Sequence, residues 1–317
     1  MPFGSLGLGL GLGAHRIVDR YGNMPATFTV TAGDGTKCVR VKVSETTTVT
    51  PAGGTSIRIG SSGDFVTTPL TLAANTNQDI YFKDAGSFII PKRKQVTYLY
   101  ILNLGSSIIT GDITGMKLTY LYLNNLGSSV ITGDITGMKL TYLYLDRIGS
   151  SVITGDITGM KLTYLILETL GSSVIRGDIT GMELTTLYLS GIGSSLTYGT
   201  NPLNITSNSG IQLRGDTAFA TAAEYEQLFI DAAASTWSHS TTRPLTITGS
   251  GKNFHRDYYD WGTFSATPGA SSPTPSAIAI KSLVKRGTNP VVVTLEGISA
   301  YSYAGGFPEN FENWWAE

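Results

Sequence analysis

Residues 127–143, GSSVITGDITGMKLTYL, recur letter for letter at 149–165, and near-copies begin at Gly105 and Gly171. Aligned on the residue that opens LTYLYL, the copies start at Val96, Leu118, Leu140, Leu162 and Leu184, always 22 residues apart. A fixed period of this size marks a solenoid whose coils stack on one another. Within one copy, Leu121 and Leu123 sit two apart, as the inward face of a strand requires, and Tyr120 and Tyr122 must point the other way. Val130, Ile131 and Ile135 are expected to fill the return side, while Gly127, Gly133 and Gly137 turn the chain. One coil alone cannot exclude water, so stability has to accumulate over stacked copies.

Composition agrees with a β-rich fold. The chain has 317 residues, 41% of them hydrophobic, with 38 glycines and many Thr and Ser, a mixture that favours strands and tight turns over helical bundles. Charged residues make up 14%, and Lys and Arg (22) balance Asp and Glu (23). Neither nucleic acid nor a membrane is therefore expected as a partner. The single cysteine, Cys38, excludes an intramolecular disulfide framework. The N-terminal run MPFGSLGLGLGLGAHR has no basic start, and no apolar stretch of membrane-spanning length follows, so neither a signal peptide nor a membrane span is expected.

LTYLYL resembles the LxxLxL segment of leucine-rich repeats, and ITGDIT is similar to the convex-side motif of plant-type and related bacterial repeats. That resemblance implies a curved solenoid with a parallel sheet on its concave side. Two departures stand out. The asparagine expected after the strand is replaced by Leu104, Leu126, Ile148, Leu170 and Ile192, so there is no asparagine ladder, and GSS lengthens the turn. A plain parallel β-helix is the alternative.

Outward from the array, five zones follow. Residues 1–24 form a Gly-Leu tail and anchor. Residues 25–92 carry short strands such as ATFTVTA and KCVRVKV and read as a small β-sandwich-like domain. The leucine-rich-repeat solenoid occupies 93–200. Residues 201–300 alternate strand and helix, which implies a parallel sheet continuing the solenoid as a cap. In this zone EYEQLFIDAAA places Tyr225, Leu228, Phe229 and Ala232 on one helix face, with Thr221 as its cap. Residues 301–317 are an aromatic tail. The fold class is mainly β with some α/β. The ending TAAEYEQLFIDAAASTW, PLTITGSG and RGTNPVVVTLEG is similar to leucine-rich-repeat proteins encoded by phages and phage-like elements of Bacteroidota.

Candidate site residues come from comparing the copies. Tyr98, Tyr120, Tyr142 and Tyr164 should form one aromatic ladder, and Tyr100, Tyr122, Tyr144 and Tyr188 another, interrupted by Ile166. An exposed tyrosine face could hold a sugar or a protein partner, or it could only stiffen the sheet. The two positions after each strand vary most: Asn124 and Asn125, Asp146 and Arg147, Glu168 and Thr169. They read either as a recognition strip or as drift at exposed sites. Asp112, Asp134, Asp156 and Asp178 repeat once per coil and read as turn residues rather than calcium ligands. No metal, cofactor or catalytic constellation is expected: His15, His239 and His255 are isolated, neither GxSxG nor HExxH occurs, and Asp257 with Asp260 make a poor glycosidase pair. For assembly, Leu6, Leu8, Leu10 and Leu12 would share one side of an extended segment, and Trp314 and Trp315 concentrate aromatic surface.

The resemblance implies a non-enzymatic structural and adhesive protein of a phage virion: a fibre, spike or decoration subunit assembled in the host cytoplasm. It would be a homo-oligomer, bound to other virion proteins through its N-terminal region and to a glycan or protein of the host surface through its repeats. A bacterial surface or secreted adhesin and a carbohydrate-cleaving tailspike are the alternatives.

Overall fold

The structure is a computed structural model that describes residues 21–192, 195–199, 210–214, 219, 222–234, 245–248, 259–260, 265–266, 279 and 293–296. The chain is mainly β, built on a β-solenoid of about five turns of parallel sheet. It divides into two units, residues 1–139 with 149–156, and residues 140–148 with 157–317.

In the first unit seven strands precede the repeats: β1 (Ala26–Ala32), β2 (Asp34–Val43), β3 (Thr47–Ala52), β4 (Ser56–Ile59), β5 (Leu70–Leu72), β6 (Gln78–Lys83) and β7 (Gly86–Ile90). The repeat strands of this unit are β8 (Val96–Leu102), β9 (Ile108–Asp112), β10 (Tyr120–Asn124), β11 (Val130–Asp134) and β13 (Val152–Asp156). Each coil contributes two strands, and they belong to different sheets. One sheet runs β13-β11-β9-β1-β7-β3-β5 and the other β10-β8-β2-β6-β4. Coil strands pair in parallel, with Tyr120 opposite Tyr98 and Val130 opposite Thr110. The first coil has no coil before it, and a bare strand edge would invite association. Here β1 covers β9 and β2 covers β8, both antiparallel. That pairing joins residues from 53 (Val43 and Val96) to 83 (Phe28 and Gly111) apart in sequence, which short-range patterns do not encode.

The second unit holds β12 (Tyr142–Asp146), β14 (Tyr164–Glu168), β15 (Val174–Asp178), β16 (Thr186–Ser190), β17 (Leu196–Thr197), β18 (Gly210–Arg214), α1 (Ala222–Ala234), β19 (Leu245–Thr248), β20 (Tyr259–Asp260), β21 (Ser265–Ala266) and β22 (Val293–Glu296). Its main sheet runs β22-β19-β18-β16-β14-β12 in parallel. The strand β18, with Ile211 and Leu213 pointing inward, is an element the sequence reading passes over. Tyr225, Leu228, Phe229 and Ala232 of α1 are fully buried, as the helix periodicity requires. Asp231 on the same helix is held by the Tyr198 hydroxyl at 2.5 Å and the Gln227 amide at 2.8 Å. Among the described residues no helix is long and apolar enough to cross a membrane.

The core is a stack of near-identical slices. In one coil Leu118, Leu121, Leu123, Leu126, Ile131, Ile135 and Met138 are all buried, each contributing roughly 1.5–3 kcal/mol. Strands begin two residues after the aligned leucine, at Tyr120, Tyr142, Tyr164 and Thr186, yet Leu118, Leu140, Leu162 and Leu184 are buried too. The expectation that Val130 fills the return side is corrected. Its position alternates outward with Thr132, and the equivalent Val152 and Val174 are 38% and 51% exposed.

The missing asparagine ladder has a replacement. Leu104, Leu126, Ile148 and Leu170 are buried apolar side chains at the position where leucine-rich repeats, which the sequence resembles, carry an asparagine. The second serine of GSS takes over bonding to the backbone. Ser129 Oγ accepts the Ile109 N–H at 3.1 Å, and Ser151 Oγ accepts the Ile131 N–H at 2.9 Å, both fully buried. In the first coil Ser107 Oγ accepts the N–H of Asp34, tying β2 to the array.

The repeated aspartates cap turns. Asp112, Asp134 and Asp178 accept the N–H of Thr114, Thr136 and Thr180 at 2.9, 2.8 and 2.8 Å. Their own N–H groups bond backwards, as in Asp134 to Thr114 Oγ1, Asp156 to Thr136 Oγ1 and Asp178 to Thr158 Oγ1. At the start of the row Arg93 donates to Asp112 at 2.6 Å and to the carbonyls of Pro25 and Thr114. Burial works against ionisation of Asp112, but Arg93 and the Thr114 N–H outweigh it and hold the carboxyl below its ordinary value.

Candidate functional site

A strand points alternate side chains to opposite faces, so packing Leu121 and Leu123 inward forces Tyr120 and Tyr122 outward. Parallel in-register pairing then sets equivalent tyrosines about 4.8 Å apart. In the first unit Tyr98 stacks on Tyr120 with ring centroids 4.2 Å apart and planes 14° apart, and Tyr100 stacks on Tyr122 at 4.4 Å and 17°. In the second unit Tyr142 stacks on Tyr164 at 4.2 Å and 6°. Tyr144 lies opposite Ile166, and Ile166 opposite Tyr188, so the second row breaks where the sequence breaks it. All these tyrosines are half-buried.

Stacking decides what the face can offer. A ring covered by its neighbour on the coil axis presents its edge and hydroxyl outward, not its π-face. Within the first unit the ladders end on cations from β2. Lys42 Nζ lies 5.7 Å from the Tyr98 centroid and Arg40 Cζ 5.6 Å from that of Tyr100, within cation–π range. Arg40 is bound bidentately to Asp79, at 2.6 and 3.0 Å, which holds its guanidinium charged. Burial, with Tyr122 alongside, pushes the Tyr100 phenol above its ordinary value, so its hydroxyl keeps its proton at neutral pH.

The face continues past β2. Tyr81 on β6 lies opposite Cys38 and Arg58, and Arg58 sits between Tyr81 and Phe65, with its guanidinium carbon 4.8 and 4.7 Å from the two ring centroids. The sequence reading misses these aromatic and basic residues of 25–92 as part of the tyrosine face. The signal was the alternation of KCVRVKV, but its partner strand is remote in the chain.

The variable strip is not a single exposed row. Asn124 and Asp146 are only 8% and 2% exposed, so their assignment to an exposed recognition face is corrected. Each is the last strand residue and lies under its surroundings: Asn124 Nδ2 donates to the Tyr122 hydroxyl at 3.1 Å, and the Arg147 guanidinium closes over Asp146 at 2.9 Å. The residues that follow, Asn125, Arg147 and Thr169, are exposed, and Glu168 is half-buried. Their variability hides a backbone constraint. Asn103, Asn125, Arg147, Thr169 and Gly191 all have left-handed φ, at 38°, 51°, 48°, 49° and 61°. The N–H groups of Asn103, Arg147 and Thr169 reach the next coil, at the carbonyls of Asn124, Glu168 and Ser190. Asn and Gly suit this geometry, whereas Arg and β-branched Thr are strained in it.

Among the described residues no group of three or more His, Cys, Asp or Glu is placed to hold a metal ion. Leu6, Leu8, Leu10, Leu12, Trp314 and Trp315 lie outside the described residues, as do Thr221, His15, His239, His255 and Asp257, and the side chain of Asp260. Comparison with protein-family models, curated proteins and solved structures finds no match.

Proposed function

We propose that this protein is a non-enzymatic structural and adhesive protein whose repeats present a tyrosine face to a partner. The observation that carries the reading is the pair of stacked tyrosine ladders with outward hydroxyls, repeated with the same register as the core. Tyrosine supplies rigid contact area and a hydroxyl at little entropic cost. Placement on a phage virion rests on the resemblance of the C-terminal region to phage-encoded leucine-rich-repeat proteins. In that reading the segment 25–92, taken as sandwich-like, faces the particle, and the strand-helix region 201–300 caps the repeats.

The test uses the full chain and envelope preparations from Bacteroidota cells. Replacing Tyr100 and Tyr122 together by Ala should abolish retention on envelopes while circular dichroism stays unchanged. The corresponding Phe pair keeps the stack and reports the share due to hydroxyls. Retention unchanged in the Ala pair refutes a recognition role for the face.

A further inference from the structure

We infer that the part of this face formed by β2, β4, β6, β8 and β10 takes an acidic polysaccharide, held through its carboxylates or sulfates and its hydroxyls rather than by ring stacking. The inference rests on the reading of the tyrosine face as a recognition surface and names its ligand. Three observations lead to it.

The first is charge. The chain as a whole carries a formal net charge of -1, yet the outward positions of these strands bring together Arg40, Lys42, Arg58 and Lys83. Asp79 offsets Arg40, and Asp34, opposite Lys83 and kept ionised by the N–H and hydroxyl of Thr36 and the hydroxyl of Ser106, offsets Lys83, so the positive surplus of these strands rests on Lys42 and Arg58. Among the described residues no carboxylate pairs with Lys42, Arg58 or Lys83. Arg40 and Lys42 follow one another on β2, and Arg58 lies two strands away, level with Cys38, because Arg58 is opposite Tyr81 and Tyr81 is opposite Cys38.

The second is the loss of π-faces. Non-specific binding of single-stranded nucleic acid relies on bases stacking on open aromatic faces. Here Tyr98 and Tyr120 cover each other, as do Tyr100 and Tyr122, and the other sides of Tyr98 and Tyr100 meet Lys42 and Arg40. What remains outward is phenolic hydroxyl, with the Tyr100 proton held firmly. Hydroxyl donors beside cations match a ligand that is anionic and hydroxylated.

The third is spacing. Equivalent groups repeat about every 4.8 Å across the strands, close to the length of one pyranose residue, whereas same-side residues of an extended peptide recur about every 6.6–6.8 Å. A polysaccharide laid across the strands can stay in step over β2, β8 and β10. An extended acidic peptide falls out of step by about 2 Å at each strand.

The experiment measures binding of the purified full chain to immobilised polygalacturonate, with dextran, poly-glutamate and oligo-dT as competitors. Polygalacturonate should be retained at low salt and released as salt screens the contact. Lys42→Gln should weaken retention about two- to fivefold, as expected for one screened surface ion pair, and Lys42→Gln with Arg58→Gln about tenfold or more. Because Arg58 packs between two rings, Lys42→Gln alone keeps the test valid if the double variant fails to fold. Failure to retain polygalacturonate, retention unchanged by Lys42→Gln, or stronger competition by poly-glutamate or oligo-dT would overturn the inference. Should that happen while the Tyr100 and Tyr122 Ala pair still loses envelope binding, the ligand class is wrong and the recognition face stands.

Discussion

Replacing Ser151 by Ala should destabilise the solenoid while the same change at Ser150, one residue earlier in GSS, should not. Ser151 is fully buried and its Oγ accepts the equally buried Ile131 N–H at 2.9 Å. Ala removes the acceptor without admitting a water, so the cost is that of an unsatisfied buried donor, about 1–3 kcal/mol. Ser150 is exposed, and its loss should stay within about 0.5 kcal/mol. Urea unfolding at unchanged slope gives the global difference. Because stacked coils can open locally, amide hydrogen exchange at Ile131 supplies a site-specific reading: its protection should fall in the Ser151 variant alone. Equal destabilisation by the two serines, or unaltered exchange at Ile131, would falsify the claim that serine stands in for the asparagine ladder.

Three further outcomes follow from the same geometry. Gly155→Ala should cost more than about 2 kcal/mol in thermal or urea unfolding, since φ is 153° and an added Cβ would lie 2.6 Å from Ile135 Cγ1 and 3.0 Å from the Thr136 nitrogen. Thr169→Asn should raise the melting temperature, by relieving part of the roughly 1–2 kcal/mol that a left-handed β-branched residue costs; an unchanged or lower melting temperature counts against strain at φ 49°. The Asp112 carboxyl sits below its ordinary 3.8 in the folded chain, so its contribution is complete above the unfolded value and is lost as pH falls through the folded one. The stability difference between wild type and Asp112→Asn, followed by urea unfolding from pH 6 to pH 2, should therefore shrink toward acid pH; a constant difference would rule out the Arg93 pairing as its source.

The array is legible in the sequence because a 22-residue period and the spacing of Leu121 and Leu123 leave one inward face. The tyrosine rows follow from the same parity, including the break at Ile166. Parity fails where the chain leaves the strand. Asn124 alternates outward yet is buried, because the Tyr122 ring beside it and the turn after it cover the site. Copy-to-copy variation at Asn125, Arg147 and Thr169 looks like freedom, although φ is the same in each and only the side chain is free. The two asparagines and Gly191 at that place were the available sign. The serine ladder is invisible for a different reason. Ser128 and Ser129 are chemically identical, and only the closed turn decides that Ser129 goes inside. The extension of the tyrosine face onto β2 depends on Arg40 lying opposite Tyr100, a pairing across 60 residues that no local pattern announces.

The side-chain bonds of the array recur with its period, which bears on its history. In the first unit Ser129 Oγ accepts the Ile109 N–H, the Asp134 N–H goes to Thr114 Oγ1, and Thr119 Oγ1 donates to the Thr97 carbonyl, so neighbouring coils there are joined by groups that recur with the repeat. A cut within the repeated text, rejoined 22 residues away, restores these donors to acceptors of the same kind. Unequal recombination within the gene can then add or delete a copy without leaving a defective seam. Each event adds or removes one strand in each sheet, at a spacing of roughly 4.8 Å. The number of coils is thus one that replication errors can count up or down, while the groups that join neighbours stay the same.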